Sequence, residues 1–455
     1  QTKTPARKNN LTGVFFLQTA GGDVVEASKR LLNFIDRSPT PWHAVASIAQ
    51  WLQQAGFRRY EETEDWQIAP GACGYVVRDG GSIIAFRLGQ TDAPMRIIGA
   101  HTDSPGFRVK PRGAFRQAGF DSLGIEVYGG PIIATFADRD LTLAGRIMVE
   151  DRDKGISTRL VNLERPLLRL PNLAIHLNRD VNQAGLRFDL QDELPLVLGC
   201  AVEQLPAAEG IRQLLGAAAG VAPETILSWE LAVVDVQPGA FFGRDNEFIA
   251  SARLDNLASC HAAVEALLAA EPGQTQVIAL FDHEEVGSQS YKGADGTFLA
   301  DGLARRAEGL GLRRESERRS LHARSVLLSA DMAHALHPNV ARVYEPQHHV
   351  HLNGGPVIKI NAQQRYATDG VGEAYFEWLC RKAEIPCQKY VHRTNLPCGS
   401  TIGPIAASRL GIRTIDVGNP MWSMHSARES AGAHDHGMMI KVMTLFFSDA
   451  TELPS

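Results

Sequence analysis

The chain has 455 residues, of which 44% are hydrophobic and 21% are charged, and its formal net charge is −5. This composition is typical of a globular protein with two or three domains, and it excludes a largely disordered chain. The negative net charge argues against nucleic acid and anionic membranes as general partners. The six cysteines form no CxxC pair, which favours reduced thiols and a cytoplasmic location.

Residues 1–21 form a segment with an ambiguous pattern. Lys3, Arg7 and Lys8 precede a short apolar run at 14–17, which loosely imitates a signal peptide. Because this run is too short for such a peptide, we interpret residues 1–21 as an added or processed extension, with a targeting segment as the alternative. No apolar run approaches the roughly 18 residues that span a bilayer, so no membrane partner is predicted.

The next part of the chain predicts an α/β pattern. Helical periodicity over 24–55, broken once by prolines, indicates two amphipathic helices. Two strand-like runs within 73–88 are separated by Asp-Gly-Gly, which is typical of a β-hairpin. A short apolar strand over 95–100 then runs directly into His101.

Short β-type runs dominate from about residue 107 to 245, which predicts an inserted β-rich domain of ordinary size. Two of these runs, 132–136 and 173–177, are interpreted as strands, and one Ala-rich helix is predicted over 211–219. The predicted organisation is therefore an extension at 1–21, a main domain made of 22–106 plus 246–455, and the inserted domain at 107–245.

The α/β alternation returns after residue 249. A helix over about 256–270 and strands over 276–281, 325–330 and 413–417 are predicted from their apolar patterns. The Arg-rich stretch at 305–324 is interleaved with glutamates, which favours a solvated helix or loop over a nucleic-acid surface.

Candidate metal ligands share one topological position, at or just beyond the carboxyl end of a strand, apart from one aspartate at the start of a helix. Because open α/β sheets bind ligands outside these strand ends, side chains from distant parts of the chain should converge. Two imidazoles and several carboxylates suit a pair of divalent ions such as Zn²⁺. The candidates are His101, Asp103, Asp255, Glu284, Glu285, Asp331 and His425.

Each candidate alone also has a simpler interpretation. Asp255 and Asp331 could each cap a helix, and Glu284–Glu285 could belong to a solvated loop. The two histidines could be hydrogen-bonded structural residues. The coincidence of all of them favours a two-metal site, in which one of Glu284 and Glu285 binds metal and the other handles protons.

Five motifs carry these residues: His101-Thr102-Asp103-Ser104-Pro105-Gly106, Arg253-Leu254-Asp255-Asn256, Asp282-His283-Glu284-Glu285-Val286-Gly287-Ser288, Asp331-Met332-Ala333-His334-Ala335-Leu336-His337-Pro338-Asn339 and His425-Ser426. Together they resemble the aspartyl aminopeptidase family of di-zinc metallopeptidases, over nearly the whole chain from about Val24. The resemblance implies an α/β fold, with an α/β/α catalytic domain and an inserted β-rich dimerisation domain.

The resemblance also implies a role for each position at the metal centre. Asp255 would bridge two Zn²⁺ ions, with His101 and Asp331 completing one site and Glu285 and His425 the other. Co²⁺ or Mn²⁺ are possible substitutes for zinc.

Two further acids have implied catalytic roles. Glu284 would be the general base for the zinc-activated water, and Asp103 would orient the ring of His101.

The implied substrates are peptides with an N-terminal Asp or Glu. Lys359 would select the acidic side chain, although sequence alone favours a strand lysine that extends its ammonium to solvent. His334 and Tyr366 would contact the substrate. His176 would reach the active site of a neighbouring subunit, in a homo-oligomer of dimers assembled into a tetrahedral dodecamer.

Two rival functions remain open at this stage. A di-zinc deacylase or carboxypeptidase on the same scaffold would prefer substrates with a blocked amine and a free carboxylate. A non-catalytic oligomeric shell with a relict site would not need the complete set of ligands and base that the chain retains.

Overall fold

The structure is a computed structural model that describes residues 21–454. The predicted extension at 1–21 lies outside these residues, except for Gly21 at the start of the first helix. The helices in the described part of the chain are α1 Gly21–Asp36, α2 Pro41–Gln54, α3 Val181–Ala184, α4 Ala207–Ala219, α5 Leu254–Ala269, α6 Phe298–Gly309, α7 Glu315–Arg324, α8 Gly370–Lys382, α9 Ile402–Leu410 and α10 Asp435–Ser448. The strands there are β1 Arg58–Arg59, β2 Cys73–Arg78, β3 Ser82–Arg87, β4 Met95–His101, β5 Gly106–Gln117, β6 Phe120–Tyr128, β7 Leu141–Asp151, β8 Gly155–Asn162, β9 Leu196–Cys200, β10 Ile226–Asp235, β11 Ala240–Phe242, β12 Phe248–Ser251, β13 Thr275–Phe281, β14 Val326–Ala330, β15 Ala333–His334, β16 Val357–Ile360, β17 Gln388–Val391, β18 Arg413–Gly418, β19 Pro420–Trp422 and β20 Glu429–Gly432.

A nine-stranded mixed sheet, in the order β1-β2-β3-β13-β4-β14-β18-β16-β17, forms the centre of the larger part of the chain. Its middle strands β13, β4, β14 and β18 pair in parallel. Both β4 and β13 are buried at every residue, which explains why they are apolar throughout. Alternate side chains enter two separate cores, as the period of a strand requires: Ile278 and Leu280 face one, and Val277 and Ala279 the other.

Helices cover both faces of this sheet. Apolar residues of α1, α2, α5, α8 and α10 pack into one core, and those of α6 and α9 pack into the other. This arrangement confirms the predicted α/β/α class. Its consequence is that the carboxyl ends of β4, β13 and β14 open at one edge between the helical layers.

A six-stranded antiparallel sheet, in the order β8-β7-β10-β5-β6-β9, is built from residues 106–235 and has its own apolar core. It fits the predicted β-rich insertion; the boundaries at 107 and 245 remain predictions. Two strand predictions inside it were wrong. Residues 133–136 form a 3₁₀ turn, and 173–177 have no strand, because their apolar side chains point to solvent instead of alternating with a buried face.

A five-stranded sheet, in the order β11-β12-β20-β19-β15, lies beside the nine-stranded one in the chain's second half. In its register Ser251 of β12 pairs with Glu429 of β20, and His334 of β15 pairs with Met421 of β19. The sheet thus brings the start of α5 and the β19–β20 loop, which carries His425, to one place.

The Arg-rich stretch at 305–324, predicted as a solvated helix or loop, forms the end of α6, a short connection and all of α7. It is not wholly solvated, since Arg306 is only 3% exposed. Among the helices of the described residues, none is long and apolar enough to cross a membrane.

Candidate metal centre

The strand ends converge as the sequence predicts. β4 and β13 run in parallel with His101 paired to Phe281, so the turn after Phe281 begins beside His101. Asp331 directly follows β14, which pairs with β4 on its other side. His101, the Glu284–Glu285 turn and Asp331 therefore meet at the carboxyl edge of the sheet.

Three candidate ligand atoms lie close together at this edge. His101 Nε2 lies 3.3 Å from Asp255 Oδ1 and 3.5 Å from Asp331 Oδ1. Ligand atoms about 2.0–2.2 Å from a tetrahedral zinc ion are separated by about 3.3–3.6 Å. The two distances from His101 Nε2 therefore match those between neighbouring ligands of one zinc ion.

A second triad lies on the other side of Asp255. His425 Nε2 is 3.7 Å from Asp255 Oδ2 and 3.5 Å from Glu285 Oε2. The two oxygens of Asp255 thus face different imidazoles, which is the geometry of a bridging carboxylate. Ligand atoms of His101, Asp255 and Glu285 also lie within 4.8 Å of one another, so the two triads are adjacent.

Asp255 shows that the residues fit a bound metal. Its Oδ1 atom is buried and has no hydrogen-bond partner among the described residues. A buried, unpaired carboxylate oxygen is costly unless a cation occupies the space it faces. Its backbone is not helical, at φ −82° and ψ 106°, and no described helix amide donates to its carboxylate, so the alternative of a simple helix cap fails.

Asp103 organises the turn that carries both glutamates. Its carboxylate accepts the backbone N–H groups of Glu284 and Glu285, each at 3.1 Å, and the hydroxyl of Tyr128 at 2.7 Å. Burial would raise the pKa of Asp103, but the hydrogen bond and charge of His101 outweigh it and hold the pKa below its usual value. An ionised Asp103 accepts all three donors.

The predicted role of Asp103 is to orient the ring of His101. Both the carboxylate and the backbone carbonyl of Asp103 lie near that ring. His101 Nδ1 lies 3.1 Å from the Asp103 carbonyl oxygen and 3.5 Å from the carboxylate Oδ1. Either acceptor fixes the tautomer that leaves Nε2 free to face the triad, which is what a ligating histidine requires.

His425 is fixed in the same way by the segment that follows β6. Its Nδ1 lies 3.0 Å from the carbonyl oxygen of Gly130, and its own carbonyl accepts the N–H of Ile132 at 2.9 Å. The backbone of His425 is left-handed, at φ 69°. These contacts turn Nε2 toward Asp255 and Glu285.

Glu429 is a buried acid that the sequence reasoning missed. It accepts the N–H of Asp255 at 3.0 Å and the N–H of His425 at 2.7 Å, one on each carboxylate oxygen. Burial, followed by the charge of Asp255, raises the pKa of Glu429 well above its usual value. The sequence offered only one signal, an acid four residues after the candidate ligand His425. Such a spacing is too common to identify a site residue.

The two glutamates of the turn lie in a field of negative charge. Burial raises the pKa of Glu284 to about 8, with further upward contributions from Asp331 and Asp103. Burial and the charge of Asp255 raise the pKa of Glu285 well above its usual value. Divalent cations in the two triads would offset this repulsion and favour the ionised carboxylates.

Lys359 lies beside the first triad and does not reach solvent. Its ammonium group is 3.3 Å from Asp331 Oδ2 and donates to the Met332 carbonyl at 3.2 Å, and the side chain is 2% exposed. Burial would raise the pKa of Asp331, but Lys359 and His101 outweigh it and hold the pKa below its usual range. The alternative of a lysine that extends to solvent is therefore wrong.

Aromatic rings surround Lys359. Its Nζ lies 5.2 Å from the ring centre of Tyr366, and Tyr366 packs near Tyr390. His334 lies edge-on to Tyr390, with ring centres 5.6 Å apart, and burial lowers the pKa of His334 to about 4. His334 is therefore neutral near pH 7 and keeps a ring nitrogen for donation. The partner of Tyr390, His392 at 2.6 Å from its hydroxyl, was not predicted.

His176 is the one predicted site residue that this chain does not bring to the cluster. It lies in the irregular segment between β8 and α3 and is exposed. Among the described residues it has no hydrogen bond or ion pair to any metal-site side chain.

The fold and site together define an α/β/α protein with a histidine–carboxylate centre suited to two metal ions. A family model described as "Aminopeptidase I zinc metalloprotease (M18)" matches residues 34–447. The chain therefore belongs to the M18 family of zinc metallo-aminopeptidases, which is the aspartyl aminopeptidase family that its motifs resemble.

Relatives and solved structures agree with this assignment. A protein of Stutzerimonas stutzeri (strain A1501) named "Probable M18 family aminopeptidase 2" is 46% identical over 434 residues, covering 94% of this chain and 99% of the relative. A structure of the Ape4 and Nbr1 complex matches with a TM-score of 0.90 at 38% identity, covering 95% of this chain and 88% of that one. The S. cerevisiae mApe1 dodecamer matches with a TM-score of 0.80 at 27% identity, covering 93% and 96%.

Proposed function

We propose that the chain is a di-zinc aspartyl aminopeptidase that removes an N-terminal Asp or Glu from peptides. The observation that carries the proposal is Asp255, whose two carboxylate oxygens face two separate triads. His101 and Asp331 complete one triad, and Glu285 and His425 complete the other. These residues would hold two zinc ions, which would supply Lewis-acid activation of the scissile carbonyl and of the attacking water, with Co²⁺ or Mn²⁺ as possible substitutes.

Glu284 is the proposed general base. Its Oε2 atom lies 4.0 Å from His101 Nε2, so it borders the triads without completing either of them. From there it takes a proton from the attacking water and delivers it to the leaving amine. The amides of Glu284 and Glu285 are both held by Asp103, and this fixes the direction of the base relative to the adjacent ligand.

Lys359 supports the preference for an acidic first residue. Its buried ammonium group forms an ion pair with Asp331, which also belongs to a metal triad, and Lys359 has no other ion pair among the described residues. A substrate carboxylate would give the ammonium a partner of its own, whereas an apolar side chain would leave that interaction unmade. His334 and Tyr366, which line the same place, are the proposed substrate-contacting donors.

A homo-oligomer is part of the proposal, as dimers assembled into a tetrahedral dodecamer. The exposed segment with His176 also carries Leu173, Ile175 and Leu177, which are 63%, 48% and 76% exposed. Neighbouring apolar side chains at such exposure favour a protein contact. His176 would then complete the active site of a second subunit, and a solved relative is described as a dodecamer.

The decisive experiment is hydrolysis of Asp-, Glu- and Leu-initiated peptides before chelation, after chelation and after zinc is added back. We expect cleavage of the acidic peptides, its loss with chelator and its recovery with zinc. Acetylated Asp-peptides separate an aminopeptidase from a deacylase, since an aminopeptidase leaves them intact. Cleavage that survives complete removal of metal would contradict the proposal.

A further inference from the structure

Arg306 on α6 is a buried cation that the proposed reaction does not use. It is 3% exposed, and its one described hydrogen bond runs from Nη2 to Thr275 Oγ1 at 3.0 Å. Its Nε atom is buried without a partner, and no carboxylate of the described residues forms an ion pair with it. Burial lowers the pKa of Arg306 to about 10, which still leaves the guanidinium charged near pH 7. A buried charge without a counter-ion is costly, so an external anion is the natural partner.

A cavity between α6 and α7 has Arg306 among its lining residues. Its volume is about 220 Å³, which is below the roughly 300–1,000 Å³ of sites for drug-sized ligands and suits a small molecule. Three more arginines line it, Arg318, Arg319 and Arg409, whereas Glu315 is the only acid in the lining. The cavity is therefore predominantly cationic.

Arg318, Arg319 and Arg409, which form the rim of the cavity, differ from Arg306 because each is paired with a carboxylate. Arg318 and Arg319 share Glu315 at 3.1 and 2.7 Å, and Arg409 pairs with Asp295 at 2.7 Å. Of the four arginines in the lining, Arg306 alone has no ion pair with a carboxylate of the described residues. A planar guanidinium with free N–H groups matches the oxygens of a phosphate group in a two-point contact.

The cavity is remote from the metal centre. Met95, the first residue of β4, lines it, whereas His101 at the other end of the same strand belongs to a metal triad. A strand of this length separates its ends by about 20 Å. An anion held by Arg306 would therefore not touch the metal ligands.

We propose that the cavity between α6 and α7 is a binding site for a small phosphate-bearing anion, held by Arg306 and assisted by the arginines of its rim. The ligand is inorganic phosphate or the phosphomonoester of a small metabolite, since both present the same tetrahedral group.

The test is a thermal unfolding titration of the full-length, zinc-loaded protein at constant ionic strength. Inorganic phosphate and glycerol phosphate are the two ligands, and sodium chloride and aspartate are the comparison anions. We expect a saturating rise in melting temperature with at least one phosphate ligand, because a ligand that binds only the folded state stabilises it. Arg306→Met should need at least about tenfold more phosphate for the same rise.

Arg305→Met is the matched control. Arg305 is the adjacent residue of α6, is absent from the cavity lining, and donates instead to the Glu64 carbonyl at 3.2 Å. It should keep the phosphate response of the original chain. If Arg306→Met does not fold, Arg319→Gln serves in its place, because Arg319 is on the exposed rim and its loss should weaken phosphate binding severalfold.

Three results would overturn the proposal: no response to either phosphate ligand, an equal response to chloride or aspartate, or a response unchanged by both cavity substitutions. The last outcome would place the phosphate elsewhere, including on the zinc ions. None of these results depends on whether the chain cleaves acidic peptides.

Discussion

Substitution of Glu429 by Ala tests whether the metal centre depends on an acid that ligates nothing. Glu429 is 1% exposed, and its two oxygens accept the backbone N–H groups of Asp255 and His425. Asp255 is the proposed bridging ligand and His425 belongs to the second triad. One side chain thus connects the backbones of two ligands that are far apart in sequence.

The structure gives the size of the effect. Ala at this position leaves two buried N–H groups without acceptors, at about 1–3 kcal/mol each, so the free energy of unfolding should fall by about 2–6 kcal/mol. Relief of the repulsion between Glu429 and Asp255, which contributes to the raised pKa of Glu429, offsets part of this loss. Loss of a partner that orients metal ligands typically weakens metal affinity about 10–100-fold, and we expect that range for zinc.

Zinc affinity is measured by competition with a chromophoric chelator, and stability by chemical unfolding of the zinc-loaded protein. Glu429→Gln keeps one acceptor and replaces the other by an NH₂ group, so it should fall between the original chain and the Ala variant. Ser430→Ala on the same strand is the matched control, since the Ser430 side chain has no described hydrogen bond. Unchanged zinc affinity in Glu429→Ala, with normal folding, would refute the positioning role.

Three other predictions follow from the same site and from a buried histidine pair. Glu284→Gln should keep its zinc content and melting temperature but lose at least about 100-fold in kcat, and substantial remaining turnover measured with Asp-peptides would exclude Glu284 as the base. Lys359→Met should lower the ratio of kcat/KM for Asp- over Leu-peptides about tenfold or more, whereas an equal loss on both peptides would show that Lys359 is not the selector. The ring nitrogens His261 Nδ1 and His436 Nε2 lie 2.9 Å apart in the core, and burial lowers the pKa of His261 to about 3 and holds that of His436 well below its usual value. Because the unfolded chain binds these protons below about pH 6.5 and the folded chain does not, stability is lost as pH falls, by up to about 1.4 kcal/mol per unit and per imidazole. Urea unfolding between pH 7 and 5 should therefore show a shallower pH dependence for His261→Gln, and parallel curves would contradict this account.

Much of the candidate site was predictable because the ends of buried strands can be recognised in the sequence. An apolar run that stops at His101, Phe281 or Ala330 marks where a buried strand reaches the edge of the sheet. Parallel neighbours place those ends together, so the sequence locates the ligands without any knowledge of distances. The α/β/α fold was predictable for the same reason, since strands buried on both faces lack alternation.

The rest of the site depends on contacts that leave no recognisable pattern in the local sequence. Glu429 and the carbonyl of Gly130 act through backbone hydrogen bonds, which any residue type can make or accept. Arg306 was hidden in a charged stretch whose average character is solvated, although this one side chain points inward. The wrong strand prediction at 173–177 has the opposite cause, because a run of apolar residues imitates a buried strand although these side chains face solvent.

The inserted sheet is part of the metal centre, although it lies outside the main α/β/α unit. Tyr128 at the end of β6 donates to Asp103, which holds the amides of both glutamates. Two residues further along the chain, Gly130 fixes the imidazole of His425. One short segment of the insertion therefore helps to orient Glu285 and His425 of the second triad, together with the adjacent Glu284. The segment also joins the insertion to the site, so a displacement of this sheet would be transmitted to the candidate ligands.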